Sequence, residues 1–551
     1  MLALGLSNPR MKTMRNSILA AAVILTASAL SAQTTDDWRE DLRILATELP
    51  KRHPNAFAKM TREQWDATVK SLDARLPQLK RHEVVVELMR LVAMVGDGHT
   101  AFAPEFDERI GFHRFPLQLY DFHDGLYIIS ADSAHANIVG ARVVTIGPSS
   151  AAAAVQTVGR VISRESPNWI RARAASLLAI PEVLAALGMG RDTLSADFGI
   201  EIAGKPRTVT LRGTGSAAGN AHGIAGQQVD MRRAHPGEDP LWQRMPGLTW
   251  WFRITPDKLL YINHRAIAPF ADGESNEAFF RRAFAAGDSA RVERVVLDIR
   301  TNGGGNNFMN RHVVKEIVRR PDIDKPDKLL VLIGRGVFSA AQNLVNELDY
   351  YTNATFVGEP TGNSPNQFGD ARPLELPRST FVVRVSSLLW QSHQAADNRA
   401  WFTPDIYAEM GSEDYRTKHD PVLETALRRA TGLSFARRLR GAAELGDTAE
   451  VRRRIAGYRS NDENMYRNIE ADVNAAGYEM LRDGQTDAAV AVFTVNTAMF
   501  PASANTYDSL GEALEKAGKK DEAIAAYSKA VQLDARLFSS RDALRRLGAN
   551  P

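Results

Sequence analysis

The chain has 551 residues, 44% of them hydrophobic and 24% charged, a globular composition that excludes a disordered or collagen-like protein and is too long for a single core. Its formal charge of +3 resides in Arg10, Lys12 and Arg15, because no acid precedes Asp36; the remainder balances and gives no electrostatic reason for a nucleic-acid or membrane-surface partner. The absence of cysteine excludes disulfides, thiol nucleophiles, thiolate metal sites and an acylated lipoprotein terminus.

Residues 1–32 read as a signal peptide: a basic stretch ending at Arg15, an apolar run over 18–29, then small residues as far as Ala32. An apolar run of about a dozen residues is shorter than the ~20 that span a bilayer. The expectation is cleavage after Ala32, with Ala27-Ser28-Ala29 as an earlier site and an uncleaved anchor as the alternative. It implies a periplasmic or secreted protein of bacterial type with no integral membrane segment after cleavage.

Residues 33–105 carry helical periodicity, with Trp38, Leu42, Leu45 and Leu49 at helix spacing, and end in the turn-rich Gly96-Asp97-Gly98-His99-Thr100. Over 106–215 short strands at 125–130 and 140–146, a helix at 151–158 and a strand at 208–211 predict an α+β module. The Gly-, Ala- and polar-rich stretch 213–240 reads as a linker. Over 216–432, strands at 259–262, 295–299, 329–333 and 382–386 alternate with helices at 276–286, 309–319 and 340–350, the pattern of a parallel α/β core.

Residues 433–551 differ in kind. Gly477 and Gly511, Ala489 and Ala523, and Phe493 and Tyr527 are each 34 positions apart. That offset, with small residues at a close helix contact and an aromatic on the second helix, resembles the tetratricopeptide repeat. Leu510 and Leu544 extend it into a capping half repeat. The resemblance implies a protein partner or self-association through this region; a plain alanine-rich bundle is the alternative.

Three turns offer chemistry. In 297–305, a buried strand runs into Gly303-Gly304-Gly305, where backbone N–H groups face a ligand without a Cβ in the way; they suit half an oxyanion hole or simply a tight turn. In 332–342, a second buried strand passes through a Gly-rich turn to Ser339, which opens a helix. A serine there gains from the helix N-terminus, with the Ala340 N–H as second oxyanion donor in the manner of a nucleophile elbow; a plain N-cap is the bland reading. The third turn sets His99 beside a glycine, exposed enough to act as a base.

Taken together, GDGHT at 96–100, LDIRTNGGG at 297–305 and GRGVFSAAQN at 334–343 resemble the tail-specific, or C-terminal-processing, serine peptidases. FVGEPTGNSPNQFGD at 356–370 and Trp401-Phe-Thr-Pro-Asp-Ile406 fit as well. The branch that matches includes tricorn protease and the interphotoreceptor retinoid-binding protein. The resemblance spans about 36–430 and implies a crotonase-like α/β core, a helical N-terminal part and a diverged PDZ-like module.

It also implies the chemistry. Most bacterial members pair the serine with a lysine some two dozen residues on, and no lysine lies there. The histidine branch then assigns Ser339 as nucleophile, His99 as base, and the backbone N–H groups of Gly304 and Ala340 as oxyanion donors. Gly98 stands where that branch has an orienting serine. Asp397 is the expected third member, with His393 as a rival base and Glu359 and Asp370 as rival orienters. No cofactor or metal is implied, and the substrate would be a peptide or unfolded protein. The alternative is a catalytically inactive ligand-binding or scaffold protein on the same fold.

Overall fold

A computed structural model describes residues 33–218, 228–393, 395, 397–429, 435–460, 464 and 467–550; the signal peptide expected over 1–32 lies outside them. No helix among the described residues is long and apolar enough to cross a membrane.

Three helices, Thr35–Arg52, Arg62–Arg75 and Arg81–Ala93, open the chain. The first two begin at capping boxes, Thr34 with Asp37 and Thr61 with Gln64, each pair satisfying two otherwise free N–H donors. An antiparallel sheet follows, with strands Leu117–Phe122, Gly125–Asp132, Arg142–Ile146, Ser195–Ile202 and Lys205–Arg212 in that order. Helices Ala151–Gly159, Pro167–Leu177 and Pro181–Ala186 are inserted before its fourth strand.

The expected division between 33–105 and 106–215 does not separate two cores. Leu42, Leu88 and Val92 of the helices share one buried cluster with Ile128, Phe198 and Leu211 of the sheet. The strand expected at 382–386 is also not part of the α/β sheet. Val382–Val385 pairs antiparallel with Arg372–Glu375, and this hairpin packs into the N-terminal cluster through Leu374, Phe381 and Val383. One buried carboxylate explains the detour. Asp41 on the first helix accepts the N–H groups of Arg378 and Ser379, each at 2.8 Å, so the hairpin loop satisfies a charge that would otherwise be costly to bury.

The α/β core is a six-stranded sheet in the order Trp250–Ile254, Leu259–His264, Arg294–Asp298, Leu329–Ile333, Thr355–Gly358, Ile406–Tyr407. Only the first pair is antiparallel. Every residue of Leu329–Ile333 is buried, as covering on both faces requires. Helices Asn276–Ala290, Asn310–Val318 and Ala340–Tyr351 cover one face, and Pro421–Arg429 covers the other through Val422 and Ala426. The parallel strands Arg294–Asp298 and Leu329–Ile333 therefore end at the same edge, where open α/β sheets bind ligands.

Paired helices complete the chain: Ile469–Arg482 with Thr486–Met499, Ala504–Lys516 with Lys520–Leu533, then Phe538–Leu547. A Cβ on Gly477 would lie 2.5 Å from the Phe493 ring, and one on Gly511 would lie 2.7 Å from Tyr527. The 34-residue offset is thus a helix crossing, used twice, that only glycine fits. Gly477→Val should overpack the first crossing at a cost of about 1–3 kcal/mol. Thermal unfolding followed by circular dichroism should show the helical signal lost at lower temperature; an unchanged midpoint would contradict the contact.

Candidate active site

The site forms where the edge of the α/β sheet meets the N-terminal helices and the α+β module. The turn that carries His99 is organised by Asp97, which is fully buried. The Asp97 carboxylate accepts the N–H of His99 (2.8 Å), the N–H of Thr100 (3.0 Å), the Ser386 hydroxyl (2.5 Å) and a contact from His53 Nε2 at 3.1 Å. His53 Nδ1 accepts the Asn55 N–H at 3.0 Å, so Nε2 carries the ring proton and is the donor. Burial raises the Asp97 carboxyl, but the His53 hydrogen bond, the electrostatic interaction with the His99 ring when it is protonated, and the Ser386 and Thr100 hydrogen bonds outweigh it and bring it down to about 2. The hairpin clamps the same turn: Ala101 and Arg384 exchange N–H···O bonds of 2.9 Å in both directions.

The turn that carries Ser339 follows strand Leu329–Ile333. Ser339 has φ +57° and ψ −129° directly before helix Ala340–Tyr351, the left-handed strain of a serine set on a sharp strand-to-helix elbow. Gly304 makes room for it, since a Cβ there would lie 2.6 Å from the Ser339 Cβ. Two amides hold the elbow in place. Asn363 Oδ1 accepts the Ser339 N–H at 2.8 Å, and Gln367 Nε2 donates to the Ser339 carbonyl at 2.9 Å.

Ser339 and His99 line one cavity of about 360 Å³. Rings stack along this cavity: Trp169 lies on Phe338, with centroids 4.1 Å apart, and Phe338 on His99 at 4.4 Å. Both His99 ring nitrogens are without a hydrogen-bond partner among the described residues, so stacking, and no side-chain carboxylate, orients the imidazole. Burial pushes the His99 imidazole below its ordinary value; the Asp97 charge opposes this and Arg384 adds to it. The ring is therefore neutral, and fit to accept a proton, at neutral pH.

Two sequence-predicted roles are displaced. The Gly304 N–H is already donated to Asn302 Oδ1 at 2.9 Å, so it is not free for an oxyanion. Gly303 lines the cavity, and among the described residues neither its N–H nor that of Ala340 has an acceptor. Asp397 does not meet His99. Its carboxylate lies 2.8 Å from His393 Nδ1 and 2.7 Å from Arg399 Nη2, which draws it into an ion-pair group with Glu450. His393, also 3.4 Å from Asp349, does not line the Ser339 cavity. Glu359 joins a buried cluster with Arg335 and Glu409, and Asp370 accepts from the Trp390 indole.

Asn363 and Glu165, like Trp169 and the buried Asp97, are not singled out by the sequence. Asn363 stands 24 residues after Ser339, and an amide at that spacing carries no signal of its own in the sequence. Glu165, from the α+β module, has no local signal. Its Oε2 accepts the Asn363 side-chain amide at 2.9 Å, and the Gly98 N–H also donates to its carboxyl. A Cβ on Gly98 would lie 2.8 Å from both this carboxylate and the Phe338 ring, which is why no serine stands there. Burial, with the Asp97 charge beside it, pushes the Glu165 carboxyl well above the ordinary range. Asp97, His99 and Glu165 offer ligand atoms within 4.8 Å of one another, but Asp97 is already committed to four donors.

Among solved structures, mature CPAF complexed with lactacystin aligns at a TM-score of 0.50 and 14% identity, over 72% of this chain and 98% of that one. A serine-to-alanine mutant of CPAF aligns at 0.51 and 13%, over 72% of this chain and 99% of that one. Tricorn protease aligns at only 0.32 and 11%, over 72% of this chain and 36% of that one, too loosely to carry any argument. No family model matches the chain, and no curated protein does. At these identities the fold is what the chain shares with CPAF.

The His99 ring should titrate below the ordinary histidine value of about 6.5, read as its imidazole resonance in an NMR pH series. Arg384→Gln removes a charge that disfavours the imidazolium and should raise that midpoint by about 0.2–0.7 unit, the range for an exposed charge worth about 0.2–1 kcal/mol. A midpoint that falls or stays in place would contradict the electrostatic reading.

Proposed function

We propose that this chain is an exported serine peptidase of the tail-specific type that hydrolyses peptide bonds through an acyl-enzyme on Ser339. The observation that carries the reading is the strained Ser339 elbow at a helix N-terminus, opening on the same cavity as His99. His99, neutral because it is buried, takes the hydroxyl proton as Ser339 attacks the peptide carbonyl and later returns it to the leaving amine. The N–H groups of Ala340 and Gly303 stabilise the oxyanion; one such donor is typically worth ~10²–10³ in rate. Water then releases the acyl group.

The third role falls to Asp97. It fixes the backbone that presents His99 and supplies a nearby negative charge for the imidazolium. The same reading assigns a crotonase-like core, a diverged PDZ-like module over the antiparallel sheet, and tetratricopeptide repeats that recruit a protein partner or a second copy. The fold shared with CPAF supports it, as do the motifs at 96–100, 297–305 and 334–343. A leader over 1–32 would direct the chain to the periplasm or outside the cell.

The second reading is a catalytically inactive ligand-binding or scaffold protein. It is favoured by one observation: among the described residues no hydrogen bond reaches either His99 nitrogen. In apo sites such bonds are often long and tighten only with substrate, so the peptidase reading stands ahead.

A serine-directed phosphonate should label the full-length protein and fail on Ser339→Ala. His99→Ala should slow labelling by at least about 10³-fold, the scale of losing a base that acts with its nucleophile. His393→Ala should leave labelling within about threefold. An unlabelled wild type, inert towards unfolded proteins, would favour the binding reading; His393→Ala as the damaging variant would reassign the base.

A further inference from the structure

One charge in the cavity beside Ser339 is left over. Besides His99, the charged side chains that line it are Glu105, Arg173 and Arg384. Arg173 donates to Glu105 Oε1 at 2.8 Å, which closes that pair. Arg384 makes no ion pair and no side-chain hydrogen bond among the described residues. The hairpin sets its direction. In strand Val382–Val385, Val383 and Val385 are buried and Arg384 is exposed, so at the strand's period of two its side chain leaves the core on the opposite face. Across from it stands Pro373, which has no acceptor in its side chain. The backbone of Arg384 is tied to Ala101, two residues after His99, which holds the guanidinium to the turn of the histidine.

A positive charge in that place opposes the chemistry. It disfavours the imidazolium of His99, the form that arises when a histidine takes a proton from a serine. Arg384 therefore hinders the reaction unless the substrate brings a negative charge to it. A peptide supplies one as a carboxylate, which the planar guanidinium can hold by two parallel hydrogen bonds. A chain-terminal carboxylate is commonly captured by free backbone N–H groups. Here the N–H groups of Arg384 and Ala101 are both spent on their mutual bridge, at 2.9 Å each. The remaining match is a side-chain carboxylate, long enough to reach the guanidinium alone.

We propose that Arg384 is a specificity-determining residue that binds the carboxylate of an aspartate or glutamate close to the scissile bond, so that acidic peptides are the substrate class. The proposal rests on the serine-peptidase reading and deepens it: the substrate itself neutralises the charge that opposes the base. A lysine or arginine in the same place would meet Arg384 as a like charge, and a neutral isostere would leave it unpaired.

The test uses the full-length protein and a neutral peptide that it cleaves, blocked at both ends. Glutamate, glutamine or lysine is placed in turn at each of the two positions on either side of the cut bond. At one position at least, the glutamate peptide should have a kcat/KM about three- to tenfold above that of its glutamine isostere, with lysine slowest. In Arg384→Gln that ratio should fall to about one, and in Arg384→Glu the lysine peptide should become the fastest. Should the charge reversal fail to fold, Arg384→Gln decides alone. Equal glutamate and glutamine rates at every position, or a glutamate preference that survives in Arg384→Gln, would overturn the assignment while leaving Ser339 as nucleophile. A preference seen only with an unblocked C-terminus would overturn it in favour of a chain end. If no peptide is cleaved and no serine-directed phosphonate reacts, the peptidase reading fails instead. Calorimetric binding of the glutamate and glutamine peptides to Ser339→Ala then still reads the arginine: tighter binding of glutamate upholds its role, and equal affinity removes it.

Discussion

The buried carboxylate of Asp97 is the interaction on which the site depends. It gathers donors from three parts of the chain: His53 just beyond the first helix, the backbone of the turn that carries His99, and Ser386 after the hairpin strand. A carboxylate taken out of water is costly unless each lone pair finds a donor, and here the donors more than compensate for burial. The hairpin's departure from the α/β sheet therefore serves the base turn directly, because without it Asp97 loses the Ser386 hydroxyl and the Ala101–Arg384 bridge. A defect in the N-terminal helices would reach the site through the same contacts.

The Ser339 side is held on a different principle. Backbone strain at a positive φ costs on the order of 1–3 kcal/mol for a residue with a side chain and persists only if the surroundings leave no alternative. Around Ser339 they leave none. Its N–H and carbonyl are both fixed by side-chain amides, Asn363 and Gln367, and Gly304 lies too close for any side chain. Asn363 is itself oriented by Glu165, so the α+β module reaches Ser339 by two hydrogen bonds in series and the His99 turn by the Gly98 N–H. The module is a structural part of the site.

What could be read in the sequence follows from how local each signal is. The Ser339 elbow, the glycine run at 303–305 and the His99 turn are short segments whose residue types are dictated by their own backbone geometry. The glycine and aromatic pairs at the helix crossings are equally local within each repeat. Asp397 misled because proximity in sequence to the late Pro-Asp element stood in for proximity in space, and Arg399 two residues on is the stronger partner. Glu165 and Trp169 were illegible, since a carboxylate on a loop and a tryptophan on a short helix become functional only by meeting residues 67 to 198 positions away, as with the Glu165–Asn363 pair. The hairpin was misplaced for the same reason: a β-branched run announces a strand but not which sheet receives it.

The charges left in the site bear on why the proposed chemistry needs no carboxylate in contact with the histidine. Burial pushes the His99 imidazole down and, beside Asp97, the Glu165 carboxyl well up, while its donors bring the Asp97 carboxyl down to about 2, so of these three groups Asp97 holds negative charge most readily. Two adjacent buried carboxyls cannot both ionise cheaply, and the donors assign the charge to Asp97. In the proposed mechanism a positive charge appears on the imidazole as Ser339 attacks. The Asp97 charge favours that form from a position fixed before the reaction begins, which is the condition under which electrostatic stabilisation is most effective. The ring meanwhile rests on Phe338, whose negatively charged face also attracts a cation. In the proposed mechanism, then, the role of a triad carboxylate is divided: orientation comes from the aromatic stack, and countercharge from an acid that touches the histidine only through its backbone.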